Sequence, residues 1–230
     1  MATMYELLMD LPLFKGASRE HISKLIGATK LHFLKYPAGE TMIRAGEECT
    51  HLTFLLSGKV RATMENADGR FAVSQTLVGP TAISPDFLFG RYTQYPSEIV
   101  SLEDVSALKI AKNDYIKLLN ADNVFLLNFL NIISANDQKN IHGILSLTSG
   151  EIDERIAFWV SSLTQPGSED IVLKCRKREL NAIFGVSRSV FETGLLSMKE
   201  RGLIDYTTRD LTVLDRKRLL DLLHKNHEVD

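Results

Sequence analysis

Near Lys112 of this 230-residue chain the hydrophobic period passes from strand-like to helical, and that change limits what it can build. From Phe33 to Lys112, apolar residues fall in short β-rich runs: Thr41 to Ile43, Leu52 to Leu56, Lys59 to Met64, Phe71 to Leu77, Ser97 to Leu102 and Val105 to Ile110. Turn chemistry separates the runs, at Pro37-Ala38-Gly39, Ala45-Gly46, Ser57-Gly58, Ala67-Asp68-Gly69 and Val78-Gly79-Pro80. Asp68-Gly69 suits a hairpin, because glycine takes positive φ without steric penalty. Short strands with no helices between them predict a β-sandwich or barrel, not a βαβ sheet. Ahead of them, Ser18 is placed to cap a helix over Glu20 to Leu31, with Ile22, Leu25 and Ile26 on one face.

Beyond Lys112 the period is helical. Asn113 to Leu119 reads as a short helix and Asn123 to Leu147 as a long one. Leu126, Leu130, Ile133, Asp137, Asn140 and Ile144 recur at spacings of four and three, the seam of a coiled coil with two polar positions in its middle. A seam this long exceeds what one small barrel can cover, which favours a symmetric dimer over a helix lying on its own domain. Ser149-Gly150 stops the helix and reads as a hinge. Ile152 to Leu163 is a further amphipathic helix, and Gln165 to Ser168 is a loop. The organisation expected is a β-rich domain over 1–120, a dimerisation helix over 121–148 and a third piece over 149–230.

Charge divides along the same line. Residues 174–225 carry twelve Lys/Arg against seven Asp/Glu, whereas the remainder carries fifteen against twenty-two. A basic end on an acidic body suits a polyanion, since phosphate contacts release counterions; ordinary variation in a small domain is the other reading. Two cysteines, Cys49 and Cys175, suit a reducing cytoplasm and fall short of the four ligands of an iron–sulfur cluster. No apolar run reaches the roughly 18 residues of a membrane span. Nucleophile motifs, metal-spaced clusters and Walker loops are all missing, so an enzyme is not expected.

The third piece is the most explicit. Ile171 to Cys175 alternates as a strand, and Arg178 to Phe184 reads as a helix with Leu180 and Ile183 inward. Gly185-Val186 makes a tight turn, and Ser187 caps a second helix running to about Arg201. Asp205-Tyr206 and Leu211 to Leu214 then form a hairpin, or wing. This segment resembles the winged helix-turn-helix of the Crp/Fnr family of transcription regulators. Arg178-Glu179-Leu180, Gly185-Val186-Ser187-Arg188, Arg201-Gly202-Leu203-Ile204 and Leu211 to Asp215 stand in that family's order. Upstream, Tyr36-Pro37-Ala38-Gly39-Glu40, Arg44-Ala45-Gly46-Glu47, Phe54 to Val60 and Leu102-Glu103-Asp104-Val105 resemble its barrel strands.

The resemblance implies an α+β fold: a cyclic-nucleotide-binding-like jelly-roll barrel, a long dimerisation helix and a winged helix-turn-helix. It further implies double-stranded DNA with a palindromic operator, RNA polymerase and a second copy of the chain as partners. Arg188 is the foremost candidate for base readout, because a guanidinium bonds guanine O6 and N7 together, for about 1–3 kcal/mol of discrimination. Ser187, Ser189, Glu192 and Thr193 share that face. Lys174, Arg176, Lys177 and Lys199 fit phosphate anchoring, which positions without reading.

The sensing domain departs from the family's cAMP-binding members. Those carry a Gly-Glu pair followed by Arg and Ser or Thr, which cradle phosphate and ribose. Here Pro80 to Ser97 has no such pair, Tyr95-Pro96 stands at the Arg-Ser/Thr position, and Arg91 is at another spacing. cAMP is therefore not expected as effector. Phe87, Leu88, Phe89, Tyr92 and Tyr95 replace the cassette with apolar and aromatic bulk. Either these residues fill the core, or with Arg91 they line a pocket for a larger apolar ligand. Haem is one such ligand known in the family, in sensors of nitric oxide or carbon monoxide. His51, Met64 and His142 are the weak axial-ligand candidates. Some regulators of hybrid-cluster-protein genes under nitrosative stress are members of this kind, and the chain is similar to that type.

Overall fold

The computed structural model describes residues 4–9, 11–18, 20, 22–23, 30–146 and 150–223. The chain divides into two compact units, one of residues 1–62 with 77–136 and the other of residues 63–76 with 137–230.

The first unit is built on antiparallel strands. β1 (Leu31–Tyr36), β2 (Thr41–Ile43), β3 (His51–Ser57), β4 (Lys59–Glu65), β5 (Ala72–Val78), β6 (Thr81–Ile83), β7 (Glu98–Ser101) and β8 (Val105–Ala111) follow in order. One sheet runs β1-β8-β3-β6, and β2 pairs with β7 in another. Residues Leu52 to Leu56 are buried without a break, because β3 is flanked on both sides, by β8 and β6. One core takes side chains from both sheets, including Phe54, Leu108 and Ile110 with Ile43 and Ile99. That is the double-sheet form of a jelly roll.

All six β runs read from the sequence are strands here, with no end shifted by more than one residue. Two more strands escaped the pattern. β1 is an edge strand whose side chains are mostly exposed, so its LHFLKY run does not alternate cleanly, although it pairs with β8 from Leu31↔Ile110 to Tyr36↔Val105. β6 has three residues, too few for a period of two to show. The helix expected over Glu20 to Leu31 falls largely on residues outside the described set. Ile22 N–H bonds the Ser18 carbonyl at 3.0 Å, and Leu31 opens β1.

A short N-terminal helix, α1 (Met4–Met9), and the turns after it carry Leu8, Leu11, Leu13 and Phe14 into the same core. Phe14 meets Phe54 and Phe125 with ring centroids 6.1 and 5.6 Å apart. Then come α2 (Lys112–Ala121) and α3 (Asn123–Ser146), matching the short and long helices expected. Asn128 on α3 donates to the carbonyls of Leu13 and Lys15, which ties the long helix to the N-terminal segment.

In the second unit α4 (Ile152–Leu163) opens with a capping box between Glu151 and Glu154. β9 (Glu169–Lys174), α5 (Lys177–Phe184), α6 (Arg188–Glu200), β10 (Ile204–Tyr206), β11 (Asp210–Val213) and α7 (Arg216–Asp221) complete it. β9 lies between β11 and β5, the latter paired from Ala72↔Lys174 to Thr76↔Glu169. The far half of the β4–β5 hairpin thus belongs to this unit, and Val73 is part of its core. The units therefore cut across the domain boundaries read from sequence: they move the hairpin tip to the second unit and divide α3 near Asn136. Ser149 lies outside the described residues, while Gly150 has a φ of 87°.

The core of the second unit gathers Ile156 and Val160 of α4, Leu180 and Phe184 of α5, and Phe191, Leu195 and Met198 of α6. Each fully buried side chain of this kind contributes roughly 1.5–3 kcal/mol, against about 0–1 for an exposed ion pair such as Arg201–Asp153. Packing, not surface charge, holds α6 in place. Gly194 lets α6 approach α4 closely: a β-carbon there would overlap the stiff, β-branched side chain of Ile152. Gly194→Val should lower unfolding free energy in urea by at least about 1–3 kcal/mol, the usual range for overpacking.

Candidate nucleic-acid interface

The helix pair α5–α6 is joined by residues 185–187, and each has a physical task. Gly185 ends α5 in the left-handed region at φ 62°, where a β-carbon is disfavoured. Val186 packs against the unit's core. Ser187 caps α6, its Oγ accepting from Val190 N–H at 3.3 Å. On α4, Arg155 donates to the Phe184 carbonyl at 3.0 Å and so satisfies the C-terminal end of α5 with a cation. Below the turn, Phe184 stacks on Phe191 and meets Trp159 edge-on, at 6.2 and 5.7 Å.

This scaffold leaves the first turn of α6 in solvent. Arg188 is open, its side chain 85% exposed, and its Nε donates to Glu192 Oε1 at 3.0 Å. Lys177 Nζ lies 3.5 Å from the same oxygen. The Arg188 hydrogen bond, then the Lys177 charge, hold the Glu192 carboxyl below its ordinary range. Ser187, Ser189 and Thr193 are exposed on the same turns. Lys177, Arg178, Asn181, Arg188, Phe191, Glu192 and Thr208 line a concavity of about 340 Å³. Asn181 and Thr208 were not singled out in the sequence, and Arg178 only as part of the Arg178-Glu179-Leu180 motif, not as a site residue. Arg178 stands beside Lys177 at the start of α5, and its charge was the one available signal.

The lysines and arginines expected at phosphates are not alike. Lys174 and Arg176 are exposed at the end of β9. Lys177 serves Glu192 and also stands over the Tyr206 ring, 5.1 Å from its centroid. Lys199 is committed to the wing, with Nζ 2.6 Å from Asp205 and 5.5 Å from the Tyr206 centroid. That pairing raises the Lys199 pKa and lowers that of Asp205. Lys199 thus braces β10 against α6 in this structure.

Residues 33–122 match the cyclic nucleotide-binding domain and residues 154–222 the Crp-like helix-turn-helix domain. The chain belongs to the Crp/Fnr family of transcription regulators. The cAMP-activated global transcriptional regulator Vfr of Pseudomonas aeruginosa is 23% identical over 202 residues, covering 84% of this chain and 94% of that protein. The CRP-like cAMP-activated global transcriptional regulator of Mycobacterium tuberculosis is 22% identical over 228 residues, 94% of this chain and 98% of its own. The crystal structure of the Thermus thermophilus catabolite activator protein shares the fold, with a TM-score of 0.51 at 20% identity over 93% of this chain and 98% of that one. Among the described residues no single helix is long and apolar enough to cross a membrane.

In this family member the stretch expected to line an effector pocket splits in two. Leu88 and Tyr95 are buried, and Phe87 and Phe89 pack against the same core. Phe89 meets Tyr115 and Phe129 at 6.3 and 5.7 Å, and those two rings are 5.4 Å apart. Tyr95 gives its hydroxyl proton to the His51 carbonyl at 3.0 Å. Arg91 and Tyr92 are outside: both are exposed, Tyr92 by 76%, with the guanidinium over the ring. The packed rings meet one another, which fits the core-filling reading of these residues better than a haem slot.

Of the axial-ligand candidates, the His51 ring bonds Thr50 at 2.8 Å and faces His32 edge-on. Burial, then Lys109 and His32, lower its pKa. Met64 packs against the second unit's core, and His142 is exposed on α3.

On α3 the seam read from spacing is only partly free. Leu130 and Ile144 are exposed, as are Asp137 and Asn140, whereas Leu126 and Ile133 are half-buried. Leu127, Ile141 and Leu145 are exposed apolar residues that the spacing had not selected. The exposed apolar positions thus keep Leu130 and Ile144 of the expected seam and add Leu127, Ile141 and Leu145 beside it.

The charge constellation on α6 gives a direct test. In an NMR titration Glu192 should ionise below the usual carboxylate range, and Arg188→Ala should return it upward, since the ion pair favours the charged form and is lost as pH falls through the lowered value.

Proposed function

We propose that this Crp/Fnr-family chain works as a homodimer that reads base edges of a two-fold symmetric DNA site through the first turns of α6. The observation that carries the reading is the capped, solvent-facing α6 N-terminus with Arg188 beside Glu192 and Lys177. Arginine at that place suits guanine O6 and N7, and Glu192 suits the cytosine amino group. The exposed stripe Leu127, Leu130, Ile141, Ile144 and Leu145 supports pairing of two copies along α3, since an isolated helix seldom keeps such a stripe in water.

The controlling signal is, on this reading, a compound other than cAMP. Asp86 occupies the segment where the family's cassette would sit, and Asn136 of α3 donates to both its oxygens at 3.0 Å. A carboxylate there disfavours a phosphate. The same contact offers a route by which a shift in the 84–97 segment reaches the long helix. RNA polymerase is the expected further partner of a DNA-bound regulator of this family.

Fluorescence anisotropy with a preferred and a scrambled duplex tests the DNA claim. Wild-type affinity should fall steeply with salt. Arg188→Ala should remove about 1–3 kcal/mol of preference for the cognate duplex while retaining the salt dependence. Equal losses on both duplexes would assign Arg188 to the backbone instead.

A further inference from the structure

A second concavity of the DNA-binding unit, about 230 Å³, is lined by Gly69, Arg70, Lys174, Cys175, Arg176 and Arg209. Three chain segments meet there because of strand register. Lys174 stands opposite Ala72 of β5 on one side and Asp210 of β11 on the other. The residues just beyond those ends therefore converge: Arg70 two before Ala72, Arg176 two after Lys174, and Arg209 one before Asp210. Past the ladder the backbone stays zipped, with Cys175 N–H bonding the Arg209 carbonyl at 2.7 Å and Lys177 N–H the Thr208 carbonyl at 3.1 Å. The hairpin tip is equally tied down, Phe71 N–H to Asn66 Oδ1 at 2.9 Å and Arg70 N–H to Asp68 Oδ1 at 3.2 Å.

The result is four cations on a built frame. No carboxylate among the described residues lines the concavity. Among the described residues the one ion pair to any of the four joins Arg70 to Asp68, 3.3 Å away on the exposed side. Asp210, opposite Lys174, accepts from the Thr207 hydroxyl. Like charges brought together without counter-charges repel, and in such a place a multivalent anion is favoured. Arg176 and Arg209 adjoin Lys177 and Thr208, which line the concavity under α6.

We propose that this concavity seats a phosphate group of the DNA backbone flanking the site read by α6. The proposal rests on the DNA-binding reading above and deepens it. It makes the β4–β5 hairpin, through Arg70, part of the grip on DNA. The hairpin belongs in sequence to the sensing domain, so Arg70 joins that domain's sheet to the nucleic acid. A free phosphate compound has the same chemistry and is the other source of such a group.

The test uses the full chain. The slope of log affinity against log salt is measured on a preferred and a scrambled duplex, and pyrophosphate is titrated by calorimetry. Arg70→Ala and Arg209→Ala should each reduce the slope by about one and weaken both duplexes equally. Their disadvantage against wild type should shrink about three- to fourfold from roughly 50 to 200 mM salt. Arg70→Lys, which retains the charge, should retain the slope, and thermal unfolding of these exposed variants should match wild type. Unchanged slopes in Arg70→Ala and Arg209→Ala, with Arg188→Ala still losing discrimination, would overturn the proposal and leave the DNA reading intact. Unchanged slopes together with saturable pyrophosphate binding that Arg70→Ala abolishes would overturn the DNA source and assign the pocket to a free phosphate compound. A wild-type chain with no salt-dependent affinity for either duplex would overturn both.

Discussion

The stack of Phe184 on Phe191, closed by Trp159, is the contact on which the DNA-facing geometry depends. Those rings fix α5 to α6 across the turn at Gly185 and seat both on α4. Because packing decides where α6 lies, its first turn can stay open to solvent, and Arg188 can be both highly exposed and well directed. Glu192 adds direction, sharing one oxygen with Arg188 and Lys177. The reading face therefore consists of surface charges whose positions are set by a core beneath them.

Much of this was legible in the sequence. The spacing showed two amphipathic helices, and Gly185 with Ser187 marked where one ends and the next begins. Of the two residues expected inward on α5, however, only Leu180 is buried; Ile183 is 47% exposed and Phe184 takes the inward place. The six β runs showed because their turns carry Gly, Pro or Asp. What escaped did so for local reasons. β1 exposes most of its side chains, β6 is too short, and the N-terminal helix is bound into the core by Leu8, Leu11 and Phe14, whose burial no local period announces. Lys199 looked like a phosphate anchor until β10 placed Asp205 beside it. The meeting of Arg70 with Arg176 and Arg209 depends on strand register, which no local pattern encodes.

The aromatic segment from Phe87 to Tyr95 shows how composition can carry two meanings. Its bulk is real, but Phe89 is engaged with Tyr115 and Phe129, and Tyr95 with the His51 carbonyl. Burial also pushes up the thiols of Cys49 and Cys175, which leaves them small core side chains at neutral pH. Asp86 and Asn136 add a polar link between this segment and α3. With the Phe89–Phe129 contact it links the segment to the long helix, and packed contacts of this kind switch between discrete arrangements and do not deform continuously.

The central claim, two copies presenting two α6 helices to one duplex, is tested most directly by selecting bound sequences from a random duplex library with the full chain. The account predicts an inverted repeat whose half-site centres are about one helical turn apart, roughly 10–10.5 base pairs. Enrichment of a single asymmetric element, bound by one chain per duplex, would contradict it.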